Sequence, residues 1–236
     1  MSLPLIIGHR GASYRSPENT LPSFALAFEE GADGVEADFH LTCDGTIVCL
    51  HDDNTRRTAG VELSVSGTPL ANLRRLDVGS WKGGGWGGAV IPTLDEVLAM
   101  LPQGKRLFIE LKGGPEMVSP LGRVLAACDA PPGQLRLLSF SAELVRSLKE
   151  QLPGYRSCLV TDYRPRGAWR PFPERLLATL EETGADGLAS CDCPLLDDLL
   201  AAELRKRSLE IHVWTVDAAR AARRLRALGV DSIMTN

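Results

Sequence analysis

Long hydrophobic runs are missing from this chain. No apolar stretch approaches the ~20 residues that a membrane-spanning helix needs, so no span is expected. A basic leader is missing too: Met1-Ser2-Leu3-Pro4-Leu5 lacks a positively charged n-region and runs at once into a strand. Positive charge is not in excess. Lys and Arg number 26 against 30 Asp and Glu, for a net charge of −4, which argues against a nucleic-acid binder that needs a basic face. No Cys-x-x-Cys pair occurs among the six cysteines, and Cys191-Asp192-Cys193 is too tight for a zinc half-site. The six read as reduced, small, mostly buried residues of a cytoplasmic protein. A nucleotide loop is absent as well. Gly83 to Gly88 formally spells Gly-x-Gly-x-x-Gly, but it neither follows a strand nor opens a helix, so it reads as a flexible loop. No internal repeat is visible. The chain says nothing of its oligomeric state.

What is present is ordinary globular material, 44% hydrophobic and 24% charged over 236 residues. That length suits one eight-fold β/α barrel and does not demand a second domain. Short apolar runs at 5–8, 34–41, 106–111, 135–140, 157–161, 186–190, 210–216 and 232–235 read as strands. Helical patterns lie between most of them, at 20–30, 93–101, 117–128, 142–151, 173–183, 195–206 and 217–228. Eight strands alternating with helices predict an α/β fold, a closed parallel (TIM) barrel over residues 1–236. An open doubly wound sheet would want a Gly-rich turn after the first strand, where His9-Arg10-Gly11 stands instead.

One interval breaks the alternation. Asp44-Gly45 separates the second strand from Ile47-Val48-Cys49-Leu50, and no helix fits between them. Asp-Gly between apolar runs predicts a hairpin that extends the second strand and brings His51 back to the barrel rim. Residues 53–92 are rich in turn formers and read as an insertion before the next helix.

The second strand carries the most telling pair, Glu36 and Asp38. Strand side chains alternate between faces, so these acids share a face at a separation of about 7 Å. On a buried strand they repel each other and lose hydration unless a cation lies between them. Barrel active sites lie at the C-terminal strand ends, so other polar residues there can be collected. The first strand ends in His9 and Arg10, and the third carries Glu110 and Lys112. The acids Glu36, Asp38 and Glu110 suit a hard divalent cation, Mg²⁺ or Ca²⁺, rather than zinc. Arg10 and Lys112 suit a phosphate. His9 and His51 on either side of it could act as acid and base. Together they point to metal-assisted phosphoester cleavage. Several neighbours read more plainly: His40 as a surface residue, His212 as core or support, and Asn19-Thr20 first as a helix N-cap.

The ordered set Gly8-His9-Arg10-Gly11, Pro17-Glu18-Asn19-Thr20, Glu36-Ala37-Asp38, Asp44-Gly45, His51-Asp52, Arg57-Thr58, Asp77-x-Gly79-Ser80-Trp81, Ile91-Pro92-Thr93-Leu94, Glu110-Leu111-Lys112, Ser139-Phe140 and Val213-Trp214-Thr215-Val216 resembles the glycerophosphodiester phosphodiesterases. The resemblance covers nearly the whole chain. It implies a barrel, one divalent cation (Mg²⁺ or Ca²⁺, with Mn²⁺ as an alternative) on Glu36, Asp38 and Glu110, and acid/base work by His9 and His51. It implies phosphate contacts from Arg10 and Lys112, and a pocket lined by Phe140 and Trp214. Glu18 matches a motif residue that supports the metal or a substrate hydroxyl, and residues 53–92 resemble the family's capping insertion. Two departures stand out. The family often closes its last strand with Thr-Asp, whereas Thr235-Asn236 stands here, which implies that any role of that Asp is lost. An apolar residue common near positions 53–56 is absent, which implies weaker packing of the insertion.

The reaction so implied is hydrolysis of a small-molecule glycerophosphodiester to sn-glycerol 3-phosphate and an alcohol. Two alternatives remain at this stage. One is lysophospholipase D-type cleavage of lysophospholipids, which calls for an apolar groove near Trp81, Trp86 and Trp214. The other is a non-catalytic barrel that binds metal or phosphate.

Overall fold

Each strand has one row of side chains that must pack inside a ring and one that must be covered by helices, and the fold meets both demands. The structure is a computed structural model that describes residues 3–162 and 173–236. In chain order its elements are β1 (Leu5–His9), α1 (Leu21–Glu29), β2 (Gly34–Leu41), β3 (Ile47–Cys49), α2 (Arg56–Ala59), α3 (Leu70–Leu73), α4 (Leu94–Ala99) and β4 (Arg106–Leu111). There follow α5 (Val118–Ala127), β5 (Leu135–Ser139), α6 (Ala142–Gln151), β6 (Arg156–Thr161), α7 (Pro173–Thr183) and β7 (Gly187–Cys191). The chain finishes with α8 (Asp198–Lys206), β8 (Glu210–Trp214), α9 (Ala219–Leu228) and β9 (Ser232–Thr235).

The sheet runs β1-β9-β8-β7-β6-β5-β4-β2 and closes by β1–β2 pairing, with every ring pair parallel. This is a TIM barrel. The extra strand β3 lies outside the ring, antiparallel to β2, with Phe39 opposite Cys49 and Leu41 opposite Ile47. Gly45 at the hairpin tip has a φ of +79°, which only glycine adopts at no steric cost. The lumen is filled by Ile7, Phe108, Leu138, Cys158, Val160, Ala189 and Met234. Two larger apolar layers lie between the ring and the helices, one around Phe24, Phe39 and Leu121, the other around Leu188, Leu204 and Ile211.

Helix starts follow local chemistry. A capping box of Thr93 and Glu96 opens α4, and the Ser141 side chain caps α6. Two helices begin later than their apolar pattern suggests. Asp197 caps α8 by accepting from the Leu200 N–H, so the helix starts at Asp198 rather than 195. Asp217 instead accepts from Thr235 and Asn236, so α9 starts at Ala219.

The insertion has its own small core of Val48, Leu50, Val65, Leu73, Val78 and Ile91. Near 53–56, where the family's apolar residue is absent, a polar side chain is buried instead. Thr55 is fully buried there, and its hydroxyl donates to Val61 O at 2.6 Å and accepts from Leu63 N at 3.1 Å. The glycine run is not a featureless loop. Short 3₁₀ turns at Ser80–Lys82 and Gly84–Trp86 wind about Asp77, whose carboxylate accepts from the amides of Gly79, Ser80 and Gly88 and from the Ser80 hydroxyl.

Candidate active site

The β2–β4 register sets Asp38 beside Glu110, and the β1–β2 register sets His9 beside Glu36. Glu36, Asp38 and Glu110 therefore point into the same end of the lumen, and a ligand oxygen from each lies within 4.8 Å of the others. Glu36 and Asp38 are each 1% exposed. Their surroundings differ sharply. Asp38 accepts from Asn19 Nδ2 at 2.8 Å, pairs with Lys112 Nζ at 2.9 Å, and faces Arg10 Nε at 3.2 Å, at ion-pair distance but out of line for a hydrogen bond. Burial works against its charge, yet Lys112, Arg10 and His51 hold its carboxyl down at about 2. Glu36 accepts only the Arg10 amide, at 3.1 Å, and its Oε1 is buried without a partner. Burial first, then Asp38 and Glu110, push its carboxyl well above the usual range. Burial also raises Glu110, against the pull of Lys112, which contacts it directly.

This donor set fits a hard divalent cation: three carboxylates, no sulfur, and one buried oxygen lacking a donor. A second cluster of Cys158, Glu210 and His212 sits at the lower end of the lumen. It fits poorly, because Glu210 is forked by Arg136 at 2.7 and 2.9 Å and paired with Arg156 at 3.1 Å, and two guanidiniums oppose a cation.

The loop after β1 brings the cations in. Arg10 adopts a left-handed φ of +58°, which aims its amide at Glu36. Gly11 follows at φ +83°, and a Cβ there would meet Ser23 Oγ at 2.4 Å, so the loop packs on α1 only as glycine. Arg10 is tethered by Glu18, which accepts from Nη1 at 3.0 Å and also takes a two-pronged contact from Arg57 at 2.8 Å. Glu18 thus orients the cations.

Both histidines are fixed through Nδ1. Asp217 can only accept, so Asn236 turns Nδ2 towards it at 2.9 Å and presents Oδ1 to His9 Nδ1 at 2.9 Å. His9 Nδ1 therefore carries the hydrogen, and the unprotonated Nε2 faces Glu36 Oε2 at 4.0 Å. His51 Nδ1 donates to Asp52 at 2.8 Å. Burial is the main cause that lowers both imidazoles below the ordinary value of 6.5. At the position where the family often has Asp, the Asn236 amide holds His9.

Of the other residues, His40 and Asn19 differ from expectation and His212 does not. His40 is partly buried rather than on the surface, and its Nε2 donates to the His51 carbonyl at 3.1 Å. His212 lies buried in the lower lumen between Ser232 and Glu210 and edge-on to Phe108. Asn19 does more than precede a cap: at φ +57° it clamps Asp38 with both amide atoms, and Thr20 alone caps α1. Phe140 and Trp214 meet edge to face at 5.9 Å across the mouth, and Lys112 Nζ lies 5.8 Å from the Phe140 ring centre. A cavity of 360 Å³ opens beside His9 and Arg10, under Trp81 and Lys82 of the insertion. A larger cavity of 550 Å³, between α4 and the end of α5, has neither a histidine nor a cation in its lining.

The chain matches the model of the glycerophosphoryl diester phosphodiesterase family over residues 9–236. A candidate glycerophosphodiester phosphodiesterase of Bacillus subtilis is 34% identical, covering 98% of this chain and 93% of that protein. The glycerophosphodiester phosphodiesterase of Caldanaerobacter subterraneus is 30% identical, covering 98% and 93%. The solved structure of an Oleispira antarctica phosphodiesterase in complex with the product sn-glycerol 3-phosphate has a TM-score of 0.85 at 32% identity, covering 99% and 93%.

Proposed function

This chain belongs to the glycerophosphoryl diester phosphodiesterase family, and from that premise we propose metal-dependent hydrolysis of glycerophosphodiesters to sn-glycerol 3-phosphate and an alcohol, with acid/base catalysis by His9 and His51. The enzyme is a glycerophosphodiester phosphodiesterase, a hydrolase. The finer reading rests on one observation: three carboxylates with ligand oxygens within 4.8 Å, flanked on one rim by His9, His51, Arg10 and Lys112.

Glu36, Asp38 and Glu110 would hold one divalent cation, Mg²⁺ or Ca²⁺, with Mn²⁺ as an alternative. When bound, that ion supplies Lewis acidity to a phosphoryl oxygen and offsets the charge of the acids. Arg10 and Lys112 bind the anionic oxygens of the diester. The Lys112 ammonium has three donors and two carboxylate partners, so a phosphate oxygen can take the third. His9 presents Nε2 to the site, and His51, held through Nδ1, has Nε2 left for the same work. One takes the proton of the attacking water, or of a glycerol hydroxyl whose cyclic phosphate water then opens, and the other returns a proton to the leaving alkoxide. Glu18 holds Arg10 in place, and Phe140 with Trp214 forms an apolar wall for the carbon skeleton. The six cysteines form no disulfide, which suits a reducing compartment, and a cytoplasmic location is part of this reading. Among the described residues no helix is long and apolar enough to cross a membrane.

The lysophospholipid alternative finds less support. Of the three tryptophans it needs, only Trp81 lines the cavity beside His9, and most of that lining is charged or polar. A coupled assay for glycerol 3-phosphate over a panel of glycerophosphodiesters, with and without EDTA, tests the proposal. Activity that EDTA abolishes and Mg²⁺, Ca²⁺ or Mn²⁺ restores is expected. No glycerol 3-phosphate from any diester would leave a binding barrel without catalysis.

A further inference from the structure

The mouth of the barrel has two unlike walls. Over β5 and β8 stands the aromatic pair Phe140 and Trp214. Over β9, β1 and the insertion opens the 360 Å³ cavity lined by His9, Arg10, Glu18, Trp81, Lys82 and Asn236, with Ser13 and Tyr14 at its edge. A glycerophosphodiester has two arms on phosphorus, an invariant glycerol and a variable alcohol. The glycerol is small, and its hydroxyls suit the oxygen-rich acid cluster beside the aromatic wall. The cavity is far larger than a glycerol and lies against one of the two histidines. It is the natural berth for the variable arm.

The charges in that berth are unbalanced. Glu18 is its one carboxylate, and both of its oxygens are taken by Arg10 and Arg57. Lys82 Nζ is held by a neutral group, the Ser13 carbonyl, at 2.6 Å. Among the described residues no carboxylate lies within ion-pair distance of it. The same ammonium stands 5.5 Å from the centre of the Trp81 ring and covers the aromatic face that a choline would need. The indole N–H is occupied as well, donating to Val78 O at 2.9 Å.

We propose that Lys82 is a specificity-determining residue that selects hydroxyl-rich, uncharged or anionic headgroups and disfavours ammonium headgroups. The inference rests on the hydrolytic reading above. A quaternary ammonium entering the berth meets Lys82 and Arg10 with no free carboxylate to answer it, whereas polyol hydroxyls find an ammonium and a guanidinium.

The test compares kcat/KM for glycerophosphoglycerol and glycerophosphoinositol with that for glycerophosphocholine and glycerophosphoethanolamine. It uses wild type, Lys82→Gln and Lys82→Glu, each checked for an unchanged melting temperature. Wild type is expected to favour the polyol headgroups by about tenfold, equivalent to roughly 1.4 kcal/mol. Lys82→Gln should narrow that ratio to within about threefold, and Lys82→Glu should reverse it. A wild type that cleaves the choline diester as well as the polyol diesters overturns the inference while leaving the reaction intact. So does a ratio that a folded Lys82→Glu protein leaves unmoved. If no diester is cleaved at all, the reaction itself falls and the headgroup inference falls with it.

Discussion

Replacing Glu36 with Gln tests the acid cluster as a cation site, because it acts on metal binding and on stability in opposite directions. Glu36 is 1% exposed, and burial, Asp38 and Glu110 together raise its carboxyl well above 4.5. A carboxyl raised in the folded state favours folding fully below its unfolded value. That advantage is lost as pH climbs from there through the folded value. Each pH unit in that window costs the wild type about 1.4 kcal/mol relative to a neutral group at the same position. Gln is neutral throughout. In EDTA the two proteins should therefore melt together near pH 5, and Glu36→Gln should pull ahead as pH rises. At roughly 2–4 °C per kcal/mol for a chain of this size, the gap should open by about 3–6 °C per pH unit. Metal reverses the order. At one hundred times its Kd a cation adds about 2.7 kcal/mol to wild type, and a site short of one ligand gains far less. Thermal melts from pH 5 to 8, in EDTA and in Mg²⁺, read both effects. A Glu36→Gln protein that melts well below wild type in EDTA at pH 8, or that Mg²⁺ stabilises as much as wild type, refutes the reasoning.

His9→Ala and His51→Ala should each lower kcat by roughly 10²–10⁴-fold with little change in melting temperature; near wild-type turnover by either folded variant removes that histidine from the chemistry. Asn236→Ala, which frees His9 Nδ1, should cut kcat about 10–100-fold while KM holds, and Asn236→Asp should restore it. Equal falls in activity for both variants would mean that Asn236 matters only for folding. Calorimetry in buffers of different ionisation enthalpy should show net proton release on cation binding, since the raised Glu36 carboxyl must ionise to coordinate. Buffer-independent heats count against that. At the other end of the lumen, Glu210 is held near 2 by His212 and Arg136 against its burial. Discounted for solvent screening, it should contribute on the order of 1–2 kcal/mol, complete above pH 4.5 and lost as pH falls towards 2. Glu210→Gln should flatten the acid limb of the curve of melting temperature against pH, and an unchanged limb contradicts the assignment.

Much of this was legible in the residues because the signals were local. The limits of β2, β4 and β9 coincide with the apolar runs that suggest them. The return of His51 followed from counting through Asp44-Gly45, since hairpin register is set by turn length. The acids were legible because period two places them on one face once a barrel is assumed. What escaped depends on long-range placement. Asn19 looks like a turn residue, and only the folded loop shows it reaching Asp38. Glu18 gives no local hint of two arginines, one of them 39 positions away. Asn236 looked like a lost carboxylate, because its contact with His9 spans 227 positions. The motif Pro17-Glu18-Asn19-Thr20 was the available signal for two of these, and it named the segment without naming its contacts.

The cluster works because two acids on one strand, two residues apart, are treated differently. Asp38 is surrounded by partners: the Asn19 amide at 2.8 Å, the Lys112 ammonium at 2.9 Å and the Arg10 guanidinium at 3.2 Å. It therefore stays ionised in spite of its burial. Glu36 has one backbone amide and an oxygen with no partner. Two cations cannot neutralise three buried carboxylates, and the deficit falls on the one with the fewest donors. A divalent ion then has an asymmetric task. At Asp38 and Glu110 it competes with Lys112, which already bridges them. At Glu36 it would meet no competing cation of the protein, only the proton that burial favours. Metal affinity should therefore rise with pH, and under the proposed reaction Lys112 would keep one donor for a phosphate oxygen. The same rim would then serve both the ion and the anionic substrate.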